Sequence, residues 1–308
     1  MSRPKILVVG SANMDLVIRT PRMPIGGETL FGSGFSTVRG GKGANQAIAC
    51  ARIGAETWML GCVGKDAFGT VMIAGLEDDG VNCRHVRRHA DAPTGVAMIM
   101  IDDAGENSII VAPGANMKLE PTDIADLTDF GSFDAVLLQL EIPMPVVEAT
   151  LEAARDGDVL SVLDAGPATN VPPDVLHNAD VISPNQTEAL TMLGESVDAD
   201  ISPTEVAARL LDAGSRNIVL KRGAEGAIVA DMNGQAAVPA HKIDPVDTTG
   251  AGDAFTAALA VSLASDASLV EATRFGCAAG ALAATIFGAA PSMPTLDAIE
   301  QFMKEQGA

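Results

Sequence analysis

Residues 134–164, DAVLLQLEIPMPVVEATLEAARDGDVLSVLD, decide the architecture. Ala135–Leu138 and Val159–Leu163 are short, unbroken apolar runs, the pattern of strands buried on both faces. Pro145–Arg155 between them repeats its apolar residues at helical spacing. Strand, crossover helix and second strand build a parallel sheet with helices packed on its faces. The alternation continues outward in both directions. Strand-like runs stand at Ile6–Val9, Trp58–Cys62, Val181–Ser183, Ile218–Leu220 and Ala227–Val229, and helical patterns at Ala44–Ile53, Ala67–Asp78 and Glu205–Ala213. The expected fold class is α/β with a mainly parallel central sheet. Ligands of such sheets bind beyond the carboxyl ends of the strands.

Two stretches break the alternation. Met14–Val38 mixes β-type residues with PRMPIGGE, and Val96–Ile101 with Ser108–Val111 forms a hairpin pattern around DDAGEN. Strands lifted off a core expose an apolar face, which suits a lid over a ligand, a dimer contact, or both. Two ordinary edge hairpins are the plainer alternative.

Composition narrows the function classes. A chain of 308 residues, 47% hydrophobic, can bury a large core, and no Pro/Ser-rich linker or fixed-period repeat divides it, so one domain over 1–308 is expected. The N-terminus MSRPKILVVG reads as a buried strand and lacks the features of a signal peptide. The Ala/Gly-rich stretch Cys277–Ala290 is too short to span a bilayer comfortably, so no membrane partner and a cytoplasmic location are expected. Cys50, Cys62, Cys83 and Cys277 form no CxxC pair and suggest neither a zinc site nor a disulfide framework. A net charge of −20 argues against nucleic-acid binding. It also means that any bound polyphosphate must be met locally by backbone amides, metal ions and a few cations. The acidity fits either a saline cytoplasm or ordinary acidic solubility.

The strongest local signal is DTTGAGDAF, Asp247–Phe255, ahead of the helical run Thr256–Ala264. Gly250, Ala251 and Gly252 are small enough for their N–H groups to converge at a helix start, a natural anion site. Asp253 follows at once. A carboxylate beside an anion hole makes sense as a base that takes a proton while the hole stabilises a transferring phosphoryl group. It makes equal sense locally as a first-turn helix acid. No Walker loop competes: Gly41-Lys42 and Gly64-Lys65 are followed by Gly and Asp, and the first strand leads into GSANMD rather than a dinucleotide fingerprint.

Two further motifs offer ligand groups. In RGGKGANQ, Arg39–Gln46, consecutive glycines allow close approach to the backbone, while Lys42 and Asn45 supply directional donors. In SANMD, Asn13 and Asp15 are two apart and point the same way on extended chain, an amide and a carboxylate suited to vicinal hydroxyls. Turn chemistry explains SANMD equally well in isolation.

With SPNQTE near residue 185, these motifs stand in the order and spacing of the ribokinase family of carbohydrate kinases, and the chain resembles that family over essentially its whole length. The resemblance implies a three-layer sandwich with a small β-sheet lid formed by segments of approximately 14–38 and 96–111, and a homodimer through that lid. It implies direct in-line transfer from ATP to a small sugar, D-ribose being favoured by Asn13 and Asp15. Open alternatives are another sugar, a nucleoside or a sugar phosphate as acceptor, and a non-catalytic sugar sensor. Carried over, Asp253 is the base and Gly250–Gly252 the anion hole. Asn13, Asp15, Gly41, Lys42, Asn45 and Glu141 hold the sugar, with contact to phosphate as an alternative use of Lys42. Asn185 and Glu188 lie near the nucleotide phosphates and Mg²⁺, unless they are simply an N-cap and its capping-box acid. Lys221, Arg222, Gly223, Ala224, Glu225 and Gly226 form the strand-end loop around the nucleotide. Asp247, Thr249, Ala283, Ile286, Gly288 and Ser292 match a monovalent-cation site, normally filled by K⁺, that braces the anion-hole loop. Arg39 departs from the family's commonly apolar residue and points toward an anionic or larger substrate; Gln186 departs from a common acid.

Overall fold

In the computed structural model, which describes residues 3–307, the segment read above folds as strand, helix and strand, with Ala135 beside Leu160 and Leu138 beside Leu163 in parallel register. Among the described residues thirteen strands form two sheets. They are β1 (Lys5–Val9), β2 (Asn13–Arg19), β3 (Gly34–Gly40), β4 (Glu56–Gly64), β5 (Asn82–His89), β6 (Gly95–Ile101), β7 (Asn107–Ala112), β8 (Ala135–Leu138), β9 (Leu160–Leu163), β10 (Val181–Ile182), β11 (Ile218–Lys221), β12 (Ala227–Asp231) and β13 (Gly234–Val238). The main sheet runs β13-β12-β11-β10-β9-β8-β1-β4-β5. Every pairing from β11 to β5 is parallel; β12 and β13 add an antiparallel edge.

Successive residues of each central strand enter opposite cores, the physical reason these strands read as unbroken apolar runs. Ile6, Val8, Leu137 and Val219 pack with the helices Lys42–Ile53, Ala251–Leu263 and Leu269–Ala283. Leu7, Val9, Leu138 and Leu220 pack on the other face with Met144–Asp156 and Pro203–Asp212. Leu137 and Leu138 are each fully buried, worth about 1.5–3 kcal/mol apiece in removal from water. The result is a three-layer α/β sandwich.

Some elements differ from expectation. β5, NCRHVRRH, is an edge strand whose basic residues and bulged register against β4 mask its periodicity; such charges also protect an open edge. β13, GQAAV, is composed of residues with weak strand preference. The Ala/Gly-rich stretch around Cys277 lies in the helix Leu269–Ala283, where Gly276 and Gly280 admit Phe255 and the Ala251 carbonyl of the neighbouring helix. That neighbour begins at Ala251 rather than Thr256. No helix among the described residues is long and apolar enough to cross a membrane.

The two stretches that broke the alternation form the second sheet, ordered β3-β2-β6-β7. β2 leaves the carboxyl end of β1 after three residues, and β3 returns through Gly41 into the helix Lys42–Ile53. One face carries Val17, Ala97 and Ile99 with Val38 and Ile101. The other carries Leu16, Ile18 and Met100 together with Phe35, Met98 and Ile110, which are 68%, 48% and 63% exposed.

Candidate active site

The site is assembled where β1, β8, β9 and β11 end beneath the second sheet. Gly41, at φ +89°, makes the turn from β3 into the helix Lys42–Ile53, and a β-carbon there would sit 2.7 Å from the Asn13 nitrogen. The helix start is stitched to the β1–β2 connection: Ala44 N–H donates to the Ser11 carbonyl at 2.8 Å, and Gly43 N–H to Ser11 Oγ at 3.3 Å. Ser11 Oγ in turn donates to Glu141, which also accepts from Lys42 N–H at 3.1 Å. Lys42, Asn45 and Gln46 thereby project into one volume.

Asp253 faces them from the first turn of the helix Ala251–Leu263. Its Oδ2 accepts from Asn45 Nδ2 at 2.8 Å and its Oδ1 from Gln46 Nε2 at 3.2 Å, with Lys42 Nζ at 3.7 Å. It is an acid of the first helical turn but makes no cap to its own helix, its two oxygens being taken by Asn45 and Gln46. Burial raises the Asp253 carboxyl above its ordinary value; Lys42 opposes that effect, and Asp164 and Glu141 add to it. Gly250 holds a left-handed conformation at φ +79° that starts the helix, packed against Ala289 and Met293. Ala251 N–H donates to the Thr248 carbonyl at 3.2 Å, whereas the amides of Gly250 and Gly252 have no hydrogen-bond partner among the described residues.

Asp164, at the end of β9 and fully buried, is the hub that the motifs did not reveal. It receives Lys221 Nζ at 2.8 Å, Gln46 Nε2 at 2.8 Å and Lys42 Nζ at 3.4 Å. Burial works against its charge, but the two lysines hold it below the ordinary carboxylate value. The Lys42 ammonium is likewise opposed by burial and held well above its usual value by Asp164, Asp253, Glu188 and Glu141. Gln139 Nε2 donates to Gln46 Oε1 at 2.5 Å, completing a chain that sets which way the Gln46 amide faces. Lys221 Nζ lies 3.8 Å from where a β-carbon at Gly252 would be, beside the open amides.

Asn13 and Asp15 do share one face of β2, and both are buried. Asn13 Oδ1 accepts from Asn116 Nδ2 at 2.7 Å, while Asn116 Oδ1 accepts from Ala12 N–H at 2.9 Å. The Asp15 carboxylate accepts no hydrogen bond from any described residue. Burial, then Glu141 and Asp253, push it up to about 7. A carboxylate that lines a cavity and has no donor among the described residues is suited to ligand hydroxyls.

Asn185 and Glu188 form the capping box of the helix Gln186–Met192, Glu188 N–H donating to Asn185 Oδ1 at 2.9 Å and Asn185 N–H to Glu188 Oε2 at 2.8 Å. The second Glu188 oxygen, Oε1, lies with Lys42 Nζ beside Gly166. Structural capping and a position at the site therefore coexist. Asn185 bridges to Lys221, but the rest of the loop runs outward, with Arg222 paired to Glu225 and Arg222 N–H donating to the Gly226 carbonyl at 2.8 Å. Asp247 accepts from Thr249 N–H at 3.0 Å and Gly288 N–H at 2.9 Å; burial opposes its charge, and these bonds hold its carboxyl low. Ser292 is buried and donates to the Ala289 carbonyl at 2.8 Å.

Arg39 requires correction. It pairs across the sheet with Met14, whereas Asp15 pairs with Val38, so period-two alternation places Arg39 on the face opposite Asp15. Its guanidinium reaches Asp79 at 3.0 Å, away from the sugar-site candidates. The residues missed from sequence are Asp164, Gln46, Gln139, Ser11 and Asn116. Asp164 had one usable signal, its position just beyond a strand's carboxyl end; Asn116 had none.

A family model described as "pfkB family carbohydrate kinase" matches residues 3–296. The chain is 38% identical over 303 residues to a ribokinase of Schizosaccharomyces pombe, covering 94% of this chain and 95% of that one. It is 34% identical over 299 residues to a ribokinase of Bacillus subtilis, covering 97% and 99%. Among solved structures, Arabidopsis thaliana ribokinase complexed with ribose and ATP superposes with a TM-score of 0.90 at 34% identity, covering 98% of this chain and 99% of the other.

Proposed function

The chain belongs to the pfkB family of carbohydrate kinases, and on that premise we propose that it transfers the γ-phosphate of ATP to D-ribose, giving D-ribose 5-phosphate. It is a phosphotransferase with an alcohol acceptor. The observation that carries the mechanism is Asp253, buried, oriented by two amide donors and adjacent to unpaired backbone N–H groups at a helix start.

In this mechanism the sugar hydroxyl gives its proton to an Asp253 oxygen as its own oxygen forms a bond to the γ-phosphorus in line with the breaking bond to ADP. Asn45 and Gln46 fix the carboxylate plane, and burial raises the Asp253 carboxyl above its ordinary value, which makes the ionised form a stronger proton acceptor. The Gly250 and Gly252 amides meet charge developing on the phosphoryl oxygens, while the Ala251 amide secures the turn that presents them. Asn13, Asp15, Gly41, Asn45 and Glu141 hold sugar hydroxyls. Lys42, between Asp164 and Asp253, either orients the sugar or follows the phosphate. Lys221 and the turn Arg222–Gly226 border the nucleotide with Asn185. With Arg39 turned away, no observation favours a phosphosugar acceptor.

Asp15, Glu141, Asp164, Glu188 and Asp253 outnumber Lys42 and Lys221 here, so a polyphosphate needs additional positive charge. Mg²⁺ would arrive on the nucleotide, and Glu188, whose Oε1 lies with Lys42 Nζ beside Gly166, would reach it through water. Mg²⁺ would supply charge neutralisation on the phosphates. The oxygen-rich turn of Asp247, Thr249, Ala283, Ile286, Gly288 and Ser292 suits K⁺, its Asp247 carboxylate kept ionised by two amides; K⁺ would brace the loop behind Gly250. The second sheet serves as lid within a single kinase domain. Its apolar outer face, Phe35, Met98 and Ile110, supports a homodimer through the lid. A cytoplasmic location follows from the substrate pair.

The test is ADP release across ribose, deoxyribose, fructose, nucleosides and fructose phosphates, each in Na⁺ and K⁺. Ribose should be preferred and K⁺ should stimulate. A preferred nucleoside or phosphosugar would overturn the ribose assignment. Light scattering on the wild type and on a Phe35→Asp/Ile110→Asp variant tests the dimer, which should be lost in the variant.

A further inference from the structure

Arg39 stands on the lid strand β3, and its contacts lead away from the sugar and back to the phosphoryl end of the site. Its Nη2 meets Asp79 Oδ2 at 3.0 Å, just beyond the helix Ala67–Asp78. Asp79 Oδ1 also receives Arg52 Nε at 3.0 Å and Nη2 at 2.7 Å. Arg52 belongs to the helix that begins with Lys42, and its remaining Nη1 donates to the carbonyls of Ala290 at 3.2 Å and Met293 at 2.8 Å. Ala289 and Met293 press on Gly250, where a β-carbon would meet Ala289 Cα at 3.0 Å and Met293 Cε at 2.8 Å. An ion pair without hydrogen-bond geometry (Arg39–Asp79), hydrogen bonds (Arg52) and packing (Ala289 and Met293 on Gly250) thus link the second sheet to the helix start that carries Asp253.

The Asp79 side chain is 12% exposed and the two arginines 26% and 25%, so these charges are screened far less than surface pairs. The slot is narrow, and it leaves Arg39 Nη1 buried without a hydrogen-bond partner among the described residues. Gly75, in the last turns of the helix Ala67–Asp78, lies under Arg39, and a β-carbon there would overlap its guanidinium.

We propose that Arg39, Asp79 and Arg52 form an ionic brace coupling the seating of the second sheet over the sugar to the geometry of the helix start that receives the phosphoryl group. This rests on the assignment of the sugar and phosphoryl sites made above. The three are positioning residues: none touches the reacting atoms. The brace makes the two sites bind cooperatively, since seating the sheet on the sugar biases Ala289–Met293 and hence Gly250, and the reverse holds by linkage.

Two variants test it. Arg39→Met removes the charge and keeps an apolar stem. Gly75→Ala leaves every charge in place but evicts the guanidinium, and the better helix propensity of alanine, about 1 kcal/mol, offsets the loss of the ion pair so that the protein stays folded. Hydrogen exchange followed by mass spectrometry should show peptides covering 285–293 exchanging about threefold faster, or more, in both variants. By calorimetry, ribose should tighten binding of a non-hydrolysable ATP analogue to the wild type by about 5-fold or more, a typical coupling, and by less than about 2-fold in either variant. Unchanged exchange at 285–293 in both variants overturns the brace whatever the substrate is. Independent binding of sugar and analogue by the wild type, or coupling retained in both variants, overturns it as well. Faster exchange with no ribose binding by the wild type would instead refute the ribose assignment and leave the brace supported.

Discussion

Replacing Asp253 by Asn separates chemistry from binding, and the contacts in the site set the expected size of each effect. Both carboxylate oxygens accept, one from Asn45 at 2.8 Å and one from Gln46 at 3.2 Å. An amide keeps one acceptor, so in the better orientation it faces Asn45 and turns its NH₂ toward the longer Gln46 contact. That forfeits one hydrogen bond to a charged group, about 1.5–3 kcal/mol, but also removes a buried charge crowded by Asp164 and Glu141. The two effects oppose each other, and folding stability should change by less than about 2 kcal/mol. The catalytic loss is larger. Losing a general base costs about 10²–10⁴ in rate, or about 2.7–5.4 kcal/mol of barrier. ADP release at saturating ribose and ATP should fall by that factor, while the ribose Kd from calorimetry stays within severalfold. A fall in kcat of less than about 10-fold, or a loss of ribose affinity that matches the loss of rate, would refute the role of Asp253 as base.

Asp15 sits at about 7 in the sugar-free protein, and hydroxyls donating to it favour its ionised form, so ribose binding at pH 7 should release about half a proton, read by calorimetry in buffers of different ionisation enthalpy. Proton uptake, or release that survives Asp15→Asn, would contradict this. Because the folded-state value is raised, the native state holds the proton between about pH 4 and pH 7 and stability falls as pH rises through that window; Asp15→Asn should flatten this part of the melting profile. Asp164→Asn removes a negative neighbour of Asp253 while Lys42 and Glu141 remain, so the acid limb of kcat/KM should move to lower pH; movement to higher pH would sink the electrostatic account. Lys221→Met leaves fully buried Asp164 with the more distant Lys42 and should cost about 3–5 kcal/mol by denaturant titration, most of it recovered when Asp164→Asn is added. No recovery would mean that lost packing, not an unpaired charge, causes the destabilisation.

The fold was legible where physics leaves few options. Strands such as Leu137-Leu138 must be apolar throughout because each face meets a separate core, and no half-exposed strand reads that way. It was illegible where an edge lifts that demand, as in β5, or where small residues serve close packing, as Gly276 and Gly280 do against the neighbouring helix. Asp253 illustrates the intermediate case. Its motif allowed a base or a helix acid, and the contacts on which the proposed base rests come from Asn45 and Gln46, which reach it from a helix some two hundred residues earlier in the chain.

The sequence alone determined the layered parallel sheet, the glycine turn ahead of Asp253 and the pairing of Asn13 with Asp15 on one strand face, since each follows from local periodicity or backbone freedom. Tertiary structure decided which charges meet. Asp164 became the partner of Lys42 and Lys221 because β9 and β11 end at the same level as the start of the helix Lys42–Ile53. Arg39 left the sugar loop because one residue of strand register reverses the face a side chain occupies. Local patterns are written in neighbouring residues, but a charge's partner depends on where distant segments finish, and that is settled only when the sheet has closed its register.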